Sequence, residues 1–212
     1  MRQRIERKGV LALLLCLTLS VWAQGAPITI AIEATIDQVS DLFGHLEGKI
    51  SSGGFISGFY IYESTTPDSN PSDPKVGNYW HDQVPYGVFL VSNGFEFATD
   101  VNFMMEIVND NSGIDAYSFE SDNNKLLSNG VAVTEISWRL YDYTLMALGS
   151  DALPTTAPVL SAWDENRLYI EGGPRETRFV LDATVTHVEV VPEPSTIVLL
   201  ATAILLFRAF SG

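Results

Sequence analysis

Every second residue from position 28 to position 36 is apolar, and the residues between them are mostly polar. A period of two places alternate side chains on opposite faces of a β-strand. The same alternation recurs in short runs further along the chain, and the central part of the sequence has no sustained helical period of 3.6 residues. The pattern predicts an all-β fold whose strands each bury one face.

Strands of this kind are predicted at nine places between residues 27 and 190. Their ranges are 28–37, 57–63, 86–91, 95–99, 102–108, 114–119, 131–143, 167–171 and 179–190. Asn93 and Gly94, between two apolar runs, indicate a tight hairpin, and a shift of the apolar phase near His187 indicates a bulge. Short strands separated by Gly, Asn and Pro turns favour an antiparallel, jelly-roll-like β-sandwich forming one domain over 27–190.

The N-terminus has the layout of a secretory signal peptide. Four basic residues within the first eight precede an apolar run over 10–22, and small residues follow at Ala23 and Gly25. This order matches the basic, apolar and cleavage regions of such signals. We predict a signal peptide over 1–23, with cleavage after Ala23 or Gly25. The one cysteine, Cys16, would leave with it, which excludes covalent chemistry through a thiol in the mature protein.

The C-terminus combines a proline motif with a short apolar run. Pro192, Glu193 and Pro194 precede an apolar stretch over 197–207, which Arg208 ends. Proline disfavours helix at the residue before it, so the motif is predicted to be extended and open to a processing enzyme. We predict a transmembrane helix in the apolar stretch, with Arg208 as its cytoplasmic stop.

These C-terminal residues resemble the PEP-CTERM sorting signal of proteins exported by Gram-negative bacteria. The resemblance covers 191–212 and has two departures, since the apolar run is short and the tail carries a single Arg. It implies a membrane-anchored precursor in the inner membrane and recognition at Pro192-Glu193-Pro194 by an exosortase-type membrane protease. It also implies final localisation at the cell surface or in its polysaccharide matrix.

Charge narrows the range of partners. The chain has 12 basic and 26 acidic residues, and the exported part, from the end of the signal peptide through the sorting motif, keeps 7 basic against 25 acidic, a net charge of −18. Non-specific nucleic-acid binding needs clustered Lys and Arg to displace counterions, so nucleic acid is not predicted as a partner. An acidic polysaccharide would need bridging divalent cations.

Two tryptophans are candidates for sugar binding. Tyr79-Trp80-His81 follows a proline-rich loop over 64–77, where an exposed platform could stack against sugar rings. Trp163 precedes Asp164 and Glu165, and a tryptophan beside carboxylates suits the same chemistry. The alternative for Trp163 is a core tryptophan next to a solvated loop.

Catalytic and metal-binding motifs are not found in the sequence. The three histidines His45, His81 and His187 have no closely spaced partner, and no Gly-x-Ser-x-Gly motif or Gly-rich phosphate loop occurs. We therefore predict no catalytic residues, no metal site and no cofactor. Calcium stays open as an alternative at two turns with hard oxygen donors, although ordinary Asx turns explain both. Their residues are Asp110, Asn111 and Asp115, and Asp68, Asn70 and Asp73.

Three functions are consistent with these observations. The leading hypothesis is a non-enzymatic, surface-sorted structural or adhesive protein of the exopolysaccharide or biofilm matrix. The alternative is a carbohydrate-binding sandwich that uses Trp80 or Trp163, with or without calcium. A secreted polysaccharide hydrolase is the third, and it requires two facing carboxylates beside a tryptophan.

Overall fold

The computed structural model describes residues 27–192, whose regular secondary structure is β-strand apart from one short 3₁₀ turn. The predicted signal peptide and, in the sorting signal, Glu193, Pro194 and Arg208 lie outside the described residues. The strands are β1 (Pro27–Ser40), β2 (Phe55–Glu63), β3 (Val76–His81), β4 (Gly87–Ser92), β5 (Phe95–Asn111), β6 (Ile114–Asn124), β7 (Val133–Asp142), β8 (Glu165–Gly172) and β9 (Phe179–Val191). One 3₁₀ turn lies at Leu160–Ala162.

The strands form one sheet that closes into a barrel. Neighbours around it are β1-β2-β4-β5-β6-β7-β8-β9, every pair is antiparallel, and β9 pairs back with β1. β3 lies outside this ring and pairs with β5. The predicted β-sandwich is therefore wrong. A sandwich has two sheets with free edges, whereas each of these eight strands has a partner on both sides.

Side chains fill the barrel interior, as expected when only eight strands close. The apolar residues of the alternating β1 pattern, from Ile30 to Ile36, are all at most 1% exposed. Aromatic rings occupy the centre, where Tyr60 packs 5.0 Å from Phe119 and 6.1 Å from Trp138, measured between ring centroids. The alternation predicted which face of β1 is buried.

Gly58 marks a close approach between β2 and β4. A Cβ built at this glycine would lie 2.0 Å from the carbonyl oxygen of Phe89. Glycine without a side chain is used in strands where another backbone comes this near. Gly58 therefore allows β2 to pair tightly with β4 as the barrel closes.

Two strand predictions need correction, and two local ones are confirmed. The predicted strands 95–99 and 102–108 are one strand, β5, which continues through an irregularity between Thr99 and Val101. The predicted proline-rich loop ends in an additional strand, β3. Asn93 and Gly94 both have positive φ in the predicted hairpin, and the register of β9 on β1 shifts beside His187, as a bulge requires.

The prediction of a transmembrane helix finds no counterpart in the described part of the chain. Between residues 27 and 192, no helix is long and apolar enough to cross a membrane. Residue 191, where the sorting segment was predicted to begin, is the last residue of β9. The apolar stretch over 197–207 lies outside the described residues.

Candidate functional site

Trp80 lies on the outer strand β3 with its side chain turned towards solvent. It is 50% exposed, whereas its neighbours Tyr79 and His81 are 6% and 3% exposed. Strand alternation explains the contrast, because residues 79 and 81 point to one face and residue 80 to the other. The predicted three-residue platform therefore reduces to one exposed aromatic side chain, Trp80.

The two neighbours of Trp80 anchor β3. The hydroxyl of Tyr79 donates to the carbonyl oxygen of Asp151 at 2.8 Å. Nε2 of His81 accepts the backbone N–H of Glu63 at 3.0 Å, which places the proton of the neutral ring on Nδ1. Burial lowers the pKa of His81, so the ring keeps this neutral form. Trp80 is thus presented on a strand fixed from both sides.

A shallow groove on the outside of the barrel runs beside Trp80. Trp80 pairs in register with Met104 on β5, and Met104 pairs with Glu120 on β6. These three residues, together with Asn102, Asp122 and Asn123, line what we call the Trp80 groove. The groove offers one aromatic face, a thioether, two carboxylates and two amides.

Electrostatically, this groove is acidic. The pKa of Glu120 is raised, first by burial and then by the neighbouring charge of Asp122, and Arg139 opposes the shift. Nη2 of Arg139 donates to Oε2 of Glu120 at 3.2 Å and also to Oε1 of Glu135 at 3.2 Å. Because Arg139 divides its charge between two carboxylates, the groove retains a negative field.

Beyond Glu120 the outer surface continues as a polar face on β7 and β8. Arg139 lies opposite Arg167 in the strand register. The guanidinium of Arg167 lies 4.9 Å from the ring centroid of Tyr169, and its Nε donates to Asp182 at 2.5 Å. Like charges opposite each other on a sheet are unfavourable, and here Arg139 is paired with Glu120 and Glu135 while Arg167 is paired with Asp182. This face is therefore built largely from ion pairs.

The second predicted tryptophan has a different environment. Trp163 is half-buried, packs against the core and lies 6.5 Å from Tyr117 between ring centroids. Oδ2 of Asp164 accepts the backbone N–H of Tyr143 at 2.9 Å, and Oε1 of Glu165 accepts the Tyr143 hydroxyl at 2.5 Å. The structure does not bring Trp163 to the Trp80 groove. The neighbouring carboxylates, of Asp164 and Glu165, hold the turn at Tyr143.

The candidate calcium ligands also serve local structure. Asp115 is fully buried and accepts the backbone N–H groups of Asp110 at 2.8 Å and Leu148 at 3.0 Å. Asp68 accepts those of Asn70 and Asn78, each at 2.8 Å. Within residues 27–192, no group of three or more His, Cys, Asp or Glu side chains is arranged to hold a metal ion.

Sequence reasoning found Trp80 but missed its partners in the groove. Glu120 and Asp122 lie about 40 residues further along the chain, and only the pairing of β5 with both β3 and β6 brings them beside Trp80. The signal available in the sequence was their spacing of two, which places both carboxylates on one face of a strand.

Comparisons of the chain with protein-family models, with curated proteins and with solved structures find no significant match.

Proposed function

We propose that this chain is an exported, non-enzymatic adhesive protein of a bacterial exopolysaccharide matrix, which holds glycan in the Trp80 groove. The observation that carries the proposal is the half-exposed indole of Trp80, beside polar groups, on a strand that Tyr79 and His81 anchor by hydrogen bonds. The apolar face of a sugar ring stacks on an aromatic face, while its hydroxyls donate to carboxylates and accept from amides.

The remaining geometry supports binding more than hydrolysis. Polysaccharide hydrolysis needs two carboxylates on either side of the scissile bond. At Trp163, the carboxylates of Asp164 and Glu165 both bind Tyr143. In the Trp80 groove, Glu120 and Asp122 lie two residues apart on one face of β6, so both are on the same side of a bound chain. The barrel interior is packed with apolar and aromatic side chains. An outer groove on a rigid barrel can hold a long polymer that passes along the surface.

Retention by exopolysaccharide tests the proposal. The mature protein and its Trp80→Ala variant are co-sedimented with purified exopolysaccharide of the producing bacterium. Phe55→Ala is the matched control, because Phe55 is also an exposed aromatic residue, 71% accessible, and does not line the groove. We expect Trp80→Ala to lose retention and Phe55→Ala to keep it. Equal retention of all three proteins, or retention of none, would overturn the proposal.

Delivery to the matrix is the second part of the proposal. We propose that an exosortase-type membrane protease recognises Pro192, Glu193 and Pro194 and releases the barrel to the cell surface. In support, β9 ends at Val191 and Pro192 is exposed immediately after it, so the motif follows the folded domain directly.

Replacing Pro192, Glu193 and Pro194 with alanines tests this delivery step. We expect uncleaved precursor to accumulate in the cells. Mass spectrometry of the C-terminus, applied to cells and to culture medium, measures the outcome. Unchanged processing and release would contradict the sorting role and would leave glycan binding at Trp80 unaffected.

A further inference from the structure

The acidic residues of the Trp80 groove restrict the kind of glycan that fits it. Six residues line the groove, and they include two acids, Glu120 and Asp122, and no base. The neighbouring cation, Arg139, contacts Glu120 and Glu135, and it does not line the groove. A ligand beside Trp80 therefore meets an aromatic face on one side and two carboxylates on the other.

Each of these groups attracts a cation. An ammonium over an indole face is stabilised by the ring quadrupole, and tryptophan is the best of the aromatic residues for this interaction. Hydrogen bonds from an ammonium to a carboxylate are stronger than those between neutral groups. The net charge of −18 on the exported part adds long-range attraction for a polycation and repulsion for an acidic polymer.

We propose that the Trp80 groove selects polysaccharides that carry free amines, such as de-N-acetylated hexosamine polymers. The ammonium would lie between Trp80, Glu120 and Asp122, with the sugar ring on the indole. This inference rests on the proposed function, because it names the class of glycan held at the same groove.

The preference for an amine over a neutral sugar should depend on pH, because binding of the amine is coupled to ionisation of Glu120. Burial, Asp122 and, on β7, Glu135 raise the pKa of Glu120, and Arg139 on β7 opposes them. A bound ammonium would counter the rise by favouring the charged carboxylate. Binding of an amine therefore strengthens as pH rises through the titration of Glu120, and weakens again when the amine itself loses its proton. A neutral sugar gains much less from ionisation of Glu120.

Oligomers of glucosamine and of N-acetylglucosamine, equal in length, test the selection. Calorimetric titration of the mature protein is done at a pH where the amines and the carboxylates are charged. We expect the glucosamine oligomer to bind about tenfold tighter at low ionic strength. We also expect the preference to shrink as salt is added, because exposed charges are screened.

Variants with neutral amides in place of the acids test whether Glu120 and Asp122 cause the preference for the amine. Glu120→Gln with Asp122→Asn should remove the preference and retain binding of the acetylated oligomer, since Trp80 is intact. Glu96→Gln with Asp100→Asn is the matched control, because it removes the same charge from exposed positions of β5 that do not line the groove. The control should keep the preference.

The outcomes separate this inference from the proposed function. Equal affinity for both oligomers, or a preference lost equally in the control, overturns the inference and leaves glycan binding standing. Binding of neither oligomer together with retention on exopolysaccharide also overturns the inference. Binding of neither and no retention on exopolysaccharide overturns both.

Discussion

Trp138 and Trp80 are the same residue type in opposite environments. Trp138 is fully buried, its Nε1 donates to Oδ1 of Asn166 at 2.9 Å, and its ring packs edge-on against Tyr117 at 5.8 Å. Trp80 is half exposed on a strand outside the barrel. A tryptophan in the packed interior contributes to folding, whereas one that stays in water has its apolar face free to contribute to binding.

Substitution of Trp138 should have the largest effect on stability. Trp138→Ala removes a buried indole and leaves a cavity among aromatic rings, which should lower the free energy of unfolding by about 3–5 kcal/mol. Urea unfolding followed by far-UV circular dichroism measures the change. A loss of unfolding free energy no larger than that caused by Trp80→Ala would contradict the contrast between the two tryptophans.

The next effect concerns the buried tyrosine pair beside Trp138. The hydroxyls of Tyr60 and Tyr117 lie 2.6 Å apart, and burial raises the pKa of both. Tyr60→Phe removes the hydrogen bond between the Tyr60 and Tyr117 hydroxyls and should lower the free energy of unfolding by about 1–3 kcal/mol. Adding Tyr117→Phe should cost less than a second independent loss, because the bond between the Tyr60 and Tyr117 hydroxyls can be lost only once.

A double-mutant cycle of unfolding free energies measures this coupling. Strictly additive losses for the two tyrosines would contradict it.

Asp142 contributes a stability that depends on pH. Its carboxylate accepts the Thr144 hydroxyl at 2.7 Å and the backbone N–H groups of Met146 and Ala147 at 2.8 and 2.9 Å. The Thr144 hydroxyl, helped by the backbone N–H groups, lowers the pKa of Asp142 to about 2. A lowered pKa stabilises the fold above the ordinary value of 3.8, and this contribution is lost as pH falls through 2.

Asp142→Asn should therefore be less stable than wild type at neutral pH, and the difference should narrow in acid. Thermal unfolding of both proteins along an acid series measures it. A difference that stays constant down to the lowest pH would contradict the role given to ionised Asp142.

Trp80→Ala should have the smallest effect on stability. Only half of Trp80 is buried, so truncation should lower the free energy of unfolding by about 1 kcal/mol, well below the loss expected for Trp138→Ala. The same urea measurement used for Trp138→Ala tests this. A loss comparable to that of Trp138→Ala would mean that Trp80 is a structural residue.

Local pattern predicted the strands but not how they assemble. The alternation in β1 gave its buried face, and Asn93-Gly94 gave the hairpin. Closure depends on β1 pairing with β9, about 150 residues apart in sequence, and period two specifies a face without specifying a partner. The same alternation of apolar and polar residues is therefore compatible with an open sandwich and with a closed barrel.

The candidate site was predictable only in part for the same reason. Trp80 was found because it is an aromatic residue after an irregular loop. Its strand, β3, was missed because the proline-rich segment before it dominates the local signal. Glu120 and Asp122 become neighbours of Trp80 through strand order, which the sequence does not display.

Fluorescence quenching tests the central claim that Trp80 is the glycan contact. In a protein that lacks residues 1–23, the tryptophans are Trp80, Trp138 and Trp163, and Trp80, which is 50% exposed, should give more of the emission that acrylamide quenches than either of the other two. Added exopolysaccharide should protect the Trp80 emission from quenching. Trp80→Ala should keep only the quenchable emission of the partly buried Trp163, and exopolysaccharide should leave that quenching unchanged. Retention on exopolysaccharide with the quenching of Trp80 unchanged would contradict the claim.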